Sequence, residues 1–190
     1  LISIGEEVGI DHHHLTMLIM SLALLSGKST ISVLMLGTPI EETRFRTAKY
    51  IGDRDLSILN SHAIFLDYSK SSSGKKYIIA LGNKSRENEI KQIQQGIEYL
   101  RKLGNLIVYY LGFNTIERYR GSPAIQEAVN FVNSIIDNRD IAIGVLLPGS
   151  EVKNAVINMA STHIKIVAIN NTTSLYGIFP KTNLLVLEPD

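Results

Sequence analysis

Apolar runs alternate with segments of helical period along most of the chain, the signature of a parallel sheet covered by helices. Residues 1–4 read as a short strand, and residues 13–25 as a helix apolar nearly all round, hence buried, with Gly27 as its C-cap. The run 31–36, Ile-Ser-Val-Leu-Met-Leu, reads as a strand covered on both faces. An amphipathic helix follows over 41–51, introduced by Pro39 and closed by Gly52. A third strand is expected over 62–68, a polar loop over 69–76 and a short strand over 77–81. Helical spacing of Ile90, Ile93, Ile97 and Leu100 predicts a helix over 88–103 that stops at Gly104.

Residues 106–111 form the next core strand. Ser122-Pro123 opens a helix with Ser122 as cap and Pro123 at its first position, and Ala124, Ile125, Ala128, Val129, Val132 and Ile136 make its apolar face. A strand over 141–147 and a short helix over 151–159 complete the alternating part. The last runs, 164–169, 173–179 and 184–187, are separated by Asn170-Asn171 and by residues 180–183. That spacing predicts an antiparallel meander of hairpins rather than further crossovers.

Length changes the picture little: 190 residues make one α/β-sized domain over 1–190, whose start already lies inside a strand, so an upstream segment is expected to have been trimmed. The formal net charge of +1 leaves no electrostatic footprint for nucleic acid. The longest apolar run, 15–25, falls short of the roughly 20 residues a membrane span needs. The absence of cysteine excludes disulfides and thiolate metal sites and fits a cytoplasmic location.

Candidate chemistry concentrates at the first strand. Strand, loop opened by Gly5, then helix is the layout of a phosphate-binding loop. In such a loop glycines let backbone amides converge on phosphates, a lysine neutralises charge and a hydroxyl holds magnesium. Counting from Gly5, through Glu6, Glu7, Val8 and Gly9, puts Ile10 at the second glycine, Asp11 at the lysine and His12 at the hydroxyl. A carboxylate facing a triphosphate repels it, and a β-branched residue resists positive backbone angles. The stretch Gly5, Glu6, Glu7, Val8, Gly9, Ile10, Asp11, His12 is therefore a degenerate phosphate loop, expected not to bind nucleotide. Residues 26–30, Ser-Gly-Lys-Ser-Thr, carry the Gly-Lys-Ser of a true motif, but Leu22 stands at the earlier glycine and a strand follows where a helix should start.

The layout resembles the RecA superfamily, and within it the archaeal and bacterial KaiC-like ATPase domains, over almost the whole chain. Residues 1–25 resemble the phosphate-loop strand and helix, 33–50 the second strand and its helix, and 105–113 the magnesium-binding strand. The strand at 141–148 and the final hairpins, with 158–163 and 177–180, resemble the family's C-terminal strands. The resemblance implies a three-layer α/β/α RecA-like P-loop fold, mostly parallel, with antiparallel C-terminal hairpins. It also implies an acidic pair that activates water where Thr38 and Pro39 stand, and a metal-binding Asp where Tyr110 stands. Three catalytic elements lost together point to a pseudo-ATPase, because phosphoryl transfer depends on all of them. The expectation is a cytoplasmic regulatory or scaffold domain working through protein partners or self-association, without cofactor. A divergent ATP- and magnesium-binding signalling or recombination-related ATPase is the alternative.

Other candidates carry blander readings. Asp11 and His14 share a helical face, but zinc wants three or four converging ligands and the distant His62 and His163 would have to approach. Asp11 reads better as an N-cap whose carboxylate meets the helix dipole in place of phosphate. Asp67-Tyr68 ends a strand, where a single carboxylate is structural more often than functional. Arg44, Arg46, Arg54, Arg118 and Arg120 are expected in surface salt bridges, and Tyr109 and Tyr110 in the core.

Overall fold

The computed structural model describes residues 2–5, 12–33, 40–51, 56–68, 78–81, 85–146, 150, 152–169, 172–180 and 185–187. Their elements run β1 (Ile2–Gly5), α1 (His12–Leu25), β2 (Ser29–Val33), α2 (Ile40–Ile51), α3 (Leu56–His62), β3 (Ala63–Asp67), β4 (Ile78–Ala80) and α4 (Arg86–Lys102). They continue with β5 (Ile107–Gly112), α5 (Phe113–Arg120), α6 (Pro123–Ile135), β6 (Ile141–Leu146), α7 (Lys153–Met159), β7 (Thr162–Ile169), β8 (Thr172–Phe179) and β9 (Leu185–Leu187). The fold is a three-layer α/β/α arrangement with a mostly parallel sheet and antiparallel C-terminal hairpins, as the alternation of periods requires.

The chain divides into two compact units, one of residues 1–12, 111–136 and 142–190, the other of residues 13–110 and 137–141. In the first, the strand order is β6-β1-β7-β8-β9. β1 is parallel to both neighbours, with Gly5 opposite Leu146 of β6 and Lys165 of β7. β7, β8 and β9 then pair antiparallel. The expected meander is thus present over the last three strands. β7 joins parallel to β1, and the connection from β6 runs through α7, because neighbouring parallel strands need a crossover. Packed residues of this unit include Phe113 and Ile116 of α5, Ile125, Val129 and Val132 of α6, and Val156 of α7. Ser122 precedes Pro123 but does not cap α6: its hydroxyl donates instead to Glu117 Oε1, at 2.9 Å.

In the second unit the order is β4-β3-β2-β5, all parallel, with Ser32 opposite Tyr110. Met20 and Leu24 of α1 pack with Leu59 of α3 and with Ala63 and Phe65 of β3, and Ala48 and Ile51 of α2 close over them. Each large side chain buried here contributes about 1.5–3 kcal/mol. α1 ends as Gly27 turns to φ 70°, its N–H donating to Leu24 O and that of Lys28 to Ala23 O. Ser26-Thr30 is accordingly a helix end running into β2, as its surroundings predicted. Gly104 takes φ 78° and stops α4.

Three expectations are corrected in this unit. His62 ends α3, and the strand begins at Ala63. β2 starts at Ser29 and carries three buried hydroxyls, Ser29, Thr30 and Ser32, that have no hydrogen-bond partner among the described residues. α1 is not buried all round: Met17, Met20, Ser21, Ala23 and Leu24 are inside, whereas Leu22 and Leu25 are exposed.

Candidate functional site

Ligands of open parallel sheets bind beyond the carboxyl ends of the strands. β1, held between two parallel neighbours, ends at Gly5, and α1 begins at His12. β1 and α1 are thus both formed, on either side of residues 6–11. Of the degenerate loop, Glu6, Glu7, Val8, Gly9, Ile10 and Asp11 lie outside the described residues, as do Thr38 and Pro39, and with them the proposed Asp11 cap. Tyr110 is described. It is buried in β5, and by alternation it and Tyr109 point to opposite faces of the sheet.

Among the described carboxyl-terminal residues of the parallel strands, Gly5, Val33, Asp67, Ala80, Gly112 and Leu146, one bears a carboxylate, Asp67. Its side chain is buried, and its backbone carbonyl accepts the Leu81 N–H at 2.7 Å, which ties β3 to the segment after β4. β5 passes directly into α5 at Gly112, and no side chain caps that helix.

Two polar clusters were not legible in the sequence. In the first unit Glu117 accepts from Ser122 at Oε1 and from Ser150 at Oε2, at 2.9 and 3.3 Å. Both carboxylate oxygens are engaged by hydroxyls. The group thereby fastens the α5–α6 turn to the segment after β6. In the second unit Asp140 accepts from Arg101 Nη2 at 2.8 Å, from the Ile107 N–H at 3.0 Å and from the Asp137 N–H at 3.0 Å. Its side chain is 2% exposed and that of Arg101 34%, so a buried carboxylate with its lone pairs satisfied meets a half-buried guanidinium. Burial, then the Asp140 charge, pushes the Tyr109 phenol up to about 12. The backbone N–H of Arg139 holds the Asp137 carboxyl below its ordinary value. This cluster lies before the start of β5, at the opposite end of the strand from its carboxyl terminus, and joins α4 to β5. The only sequence signal was the polar turn Asp137-Asn138-Arg139-Asp140 ahead of a strand.

The remaining candidates stay apart. His62 is half-buried, its Nδ1 2.7 Å from the Ser61 hydroxyl. His163 is buried at the start of β7, where desolvation, then the Lys153 charge, keeps its ring below the ordinary histidine value. Among the described residues no three His, Cys, Asp or Glu side chains gather to hold a metal ion. Arg44 donates to Asn60 Oδ1, and Arg118 and Arg120 are exposed on α5. No described helix is long and apolar enough to cross a membrane.

No family model matches the chain, and no curated protein does. Its fold is similar to that of the uncharacterized protein PH0321 from Pyrococcus horikoshii, crystallised in complex with an unknown peptide, at TM-score 0.60 and 14% identity, over 98% of this chain and 91% of that one. At that identity the likeness concerns the fold.

Proposed function

We propose that the chain is a catalytically inactive KaiC- and RecA-like domain of archaeal type, a regulatory or scaffold protein that works through protein–protein contacts. The observation that carries this reading is Tyr110, buried in β5 where the resemblance calls for the metal-binding carboxylate. A phenol packed in the core offers no anionic ligand to magnesium. The one carboxylate at a described carboxyl end, Asp67, does not replace the set that positions nucleotide, metal and water. A peptide bound to the similar fold supports protein contact as the use of such a scaffold.

Titration calorimetry and thermal shift with ATP and magnesium test the reading. The expected outcome is no heat of binding and an unchanged melting temperature. Saturable binding that disappears in Asp11→Ala or His12→Ala would overturn it in favour of a divergent ATP-binding site, and phosphate release would then show whether that site hydrolyses ATP.

A further inference from the structure

β2 is an interior strand of the second unit, yet three of its five buried positions, Ser29, Thr30 and Ser32, carry hydroxyls. Interior parallel strands are ordinarily near-continuous apolar runs. Alternation sends Thr30 and Ser32 to one face of the sheet and Ser29 to the other. The register identifies the first face. Thr30 is opposite Ala63 and Ser32 opposite Phe65, and both of those pack with Met20 and Leu24 of α1. Thr30 and Ser32 therefore belong to the layer that α1 and α2 cover.

The helices bring hydroxyls of their own to that layer. Thr43, Thr47 and Ile51 recur at intervals of four on α2, so they share one side of it, and Ile51 packs against the same cluster. Thr43 and Thr47 are both buried. Ser21 of α1, also buried, donates to Met17 O at 2.6 Å and reaches Thr47 O at 3.4 Å. Thr47 donates to Thr43 O at 2.7 Å. Ser21 and Thr47 thus satisfy themselves by bonding back to their own helices. Thr30, Ser32 and Thr43 do not: their hydroxyl oxygens are buried and meet no hydrogen-bond partner among the described residues.

Leaving a buried hydroxyl unsatisfied costs the desolvation of that group, and three in one layer would take up a large part of a domain's net stability. A ligand that relieves this cost must be small and neutral, and must both donate and accept, because a hydroxyl does both. Water meets all of these conditions, and one buried water typically makes about three hydrogen bonds. We propose that the layer between β2 and the α1–α2 pair is a water-binding site, in which ordered water bridges the hydroxyls of Thr30, Ser32 and Thr43. Bound there, water completes the seat of α2 on the sheet, whether or not the chain binds nucleotide.

A crystal structure of the chain at a resolution that shows ordered water tests this directly. At least one water within about 2.6–3.2 Å of two of the three hydroxyl oxygens is expected. A layer without water, or hydroxyls bonded to protein groups instead, would overturn the proposal. Urea unfolding supplies a second readout. Thr30→Val and Thr43→Val keep the outline of the side chain and remove the hydroxyl. With water bound, each is expected to raise the unfolding equilibrium constant by roughly five- to tenfold, because the water loses a partner. The double variant is expected to raise it by less than the product of the two, because both act on one bridge. Valine variants more stable than the wild type would show that the hydroxyls were unsatisfied, and effects that multiply independently would show that no water is shared. Either result would refute the site.

Discussion

Gly144 and Gly96 show how differently a single hydrogen can matter. A Cβ built on Gly144 of β6 would lie 2.1 Å from Cε2 of Phe113 and 2.7 Å from Cζ, a rigid ring seated on the strand backbone. A Cβ on Gly96 of α4 would meet Ile64 Cδ1 at 2.8 Å and Ile79 Cδ1 at 3.3 Å, both flexible side-chain ends. Gly144→Ala is expected to cost about 1–3 kcal/mol in urea unfolding, and less in a Phe113→Leu background that makes room for the methyl. Gly96→Ala is expected to be near neutral, because a helical alanine gains about 0.5–1 kcal/mol over glycine and offsets the crowding. Equal losses at the two positions would refute this account of Phe113. Neither packing relation was visible in the sequence, where Gly144 stands in an apolar run and Gly96 between Gln95 and Ile97.

At the scale of elements, Asp140 joins three pieces: the carboxyl-terminal turn of α4 through Arg101, the start of β5 through the Ile107 N–H, and its own turn through the Asp137 N–H. Asp140→Ala removes an acceptor from a half-buried guanidinium and from two backbone donors, and is expected to cost about 2–4 kcal/mol. Asp140→Asn keeps an acceptor and loses the charge, so its cost in the same unfolding experiment should fall in between. Helix boundaries marked by glycine with positive φ were legible here. Gly27 and Gly104 were identified from sequence because only a left-handed residue closes a helix that way. The short α3 and α5 were not, although the equally short α7 was expected over 151–159.

For the molecule as a whole, two buried groups set limits on its stability range. His163 is held neutral by burial, so the unfolded chain binds a proton first as pH falls. Stability is complete above the ordinary value of 6.5, declines as pH drops through it, and levels off below the lowered folded value. At the alkaline end the Tyr109 phenol ionises in the unfolded chain near 10.0 and in the folded protein near 12, so stability falls between them by roughly 2–3 kcal/mol. Unfolding free energies across pH are expected to show both declines. His163→Gln should flatten the acid one and Tyr109→Phe the alkaline one, and a profile unchanged by either substitution would contradict the assignment.

The sequence by itself determined the alternation of periods, and with it the α/β class, the covered parallel strands, the helix stops and the antiparallel tail. These are local consequences of side-chain spacing and backbone preference. Tertiary structure alone decided that β1 lies between β6 and β7, that β7 arrives by a crossover, and that Glu117 and Asp140 each gather partners from distant segments. Pairing of strands and closure of polar clusters depend on which residues meet in space, and no local period encodes that. The same holds for α1. Its apolar composition predicted burial, whereas packing against one side of the helix left Leu22 and Leu25 exposed.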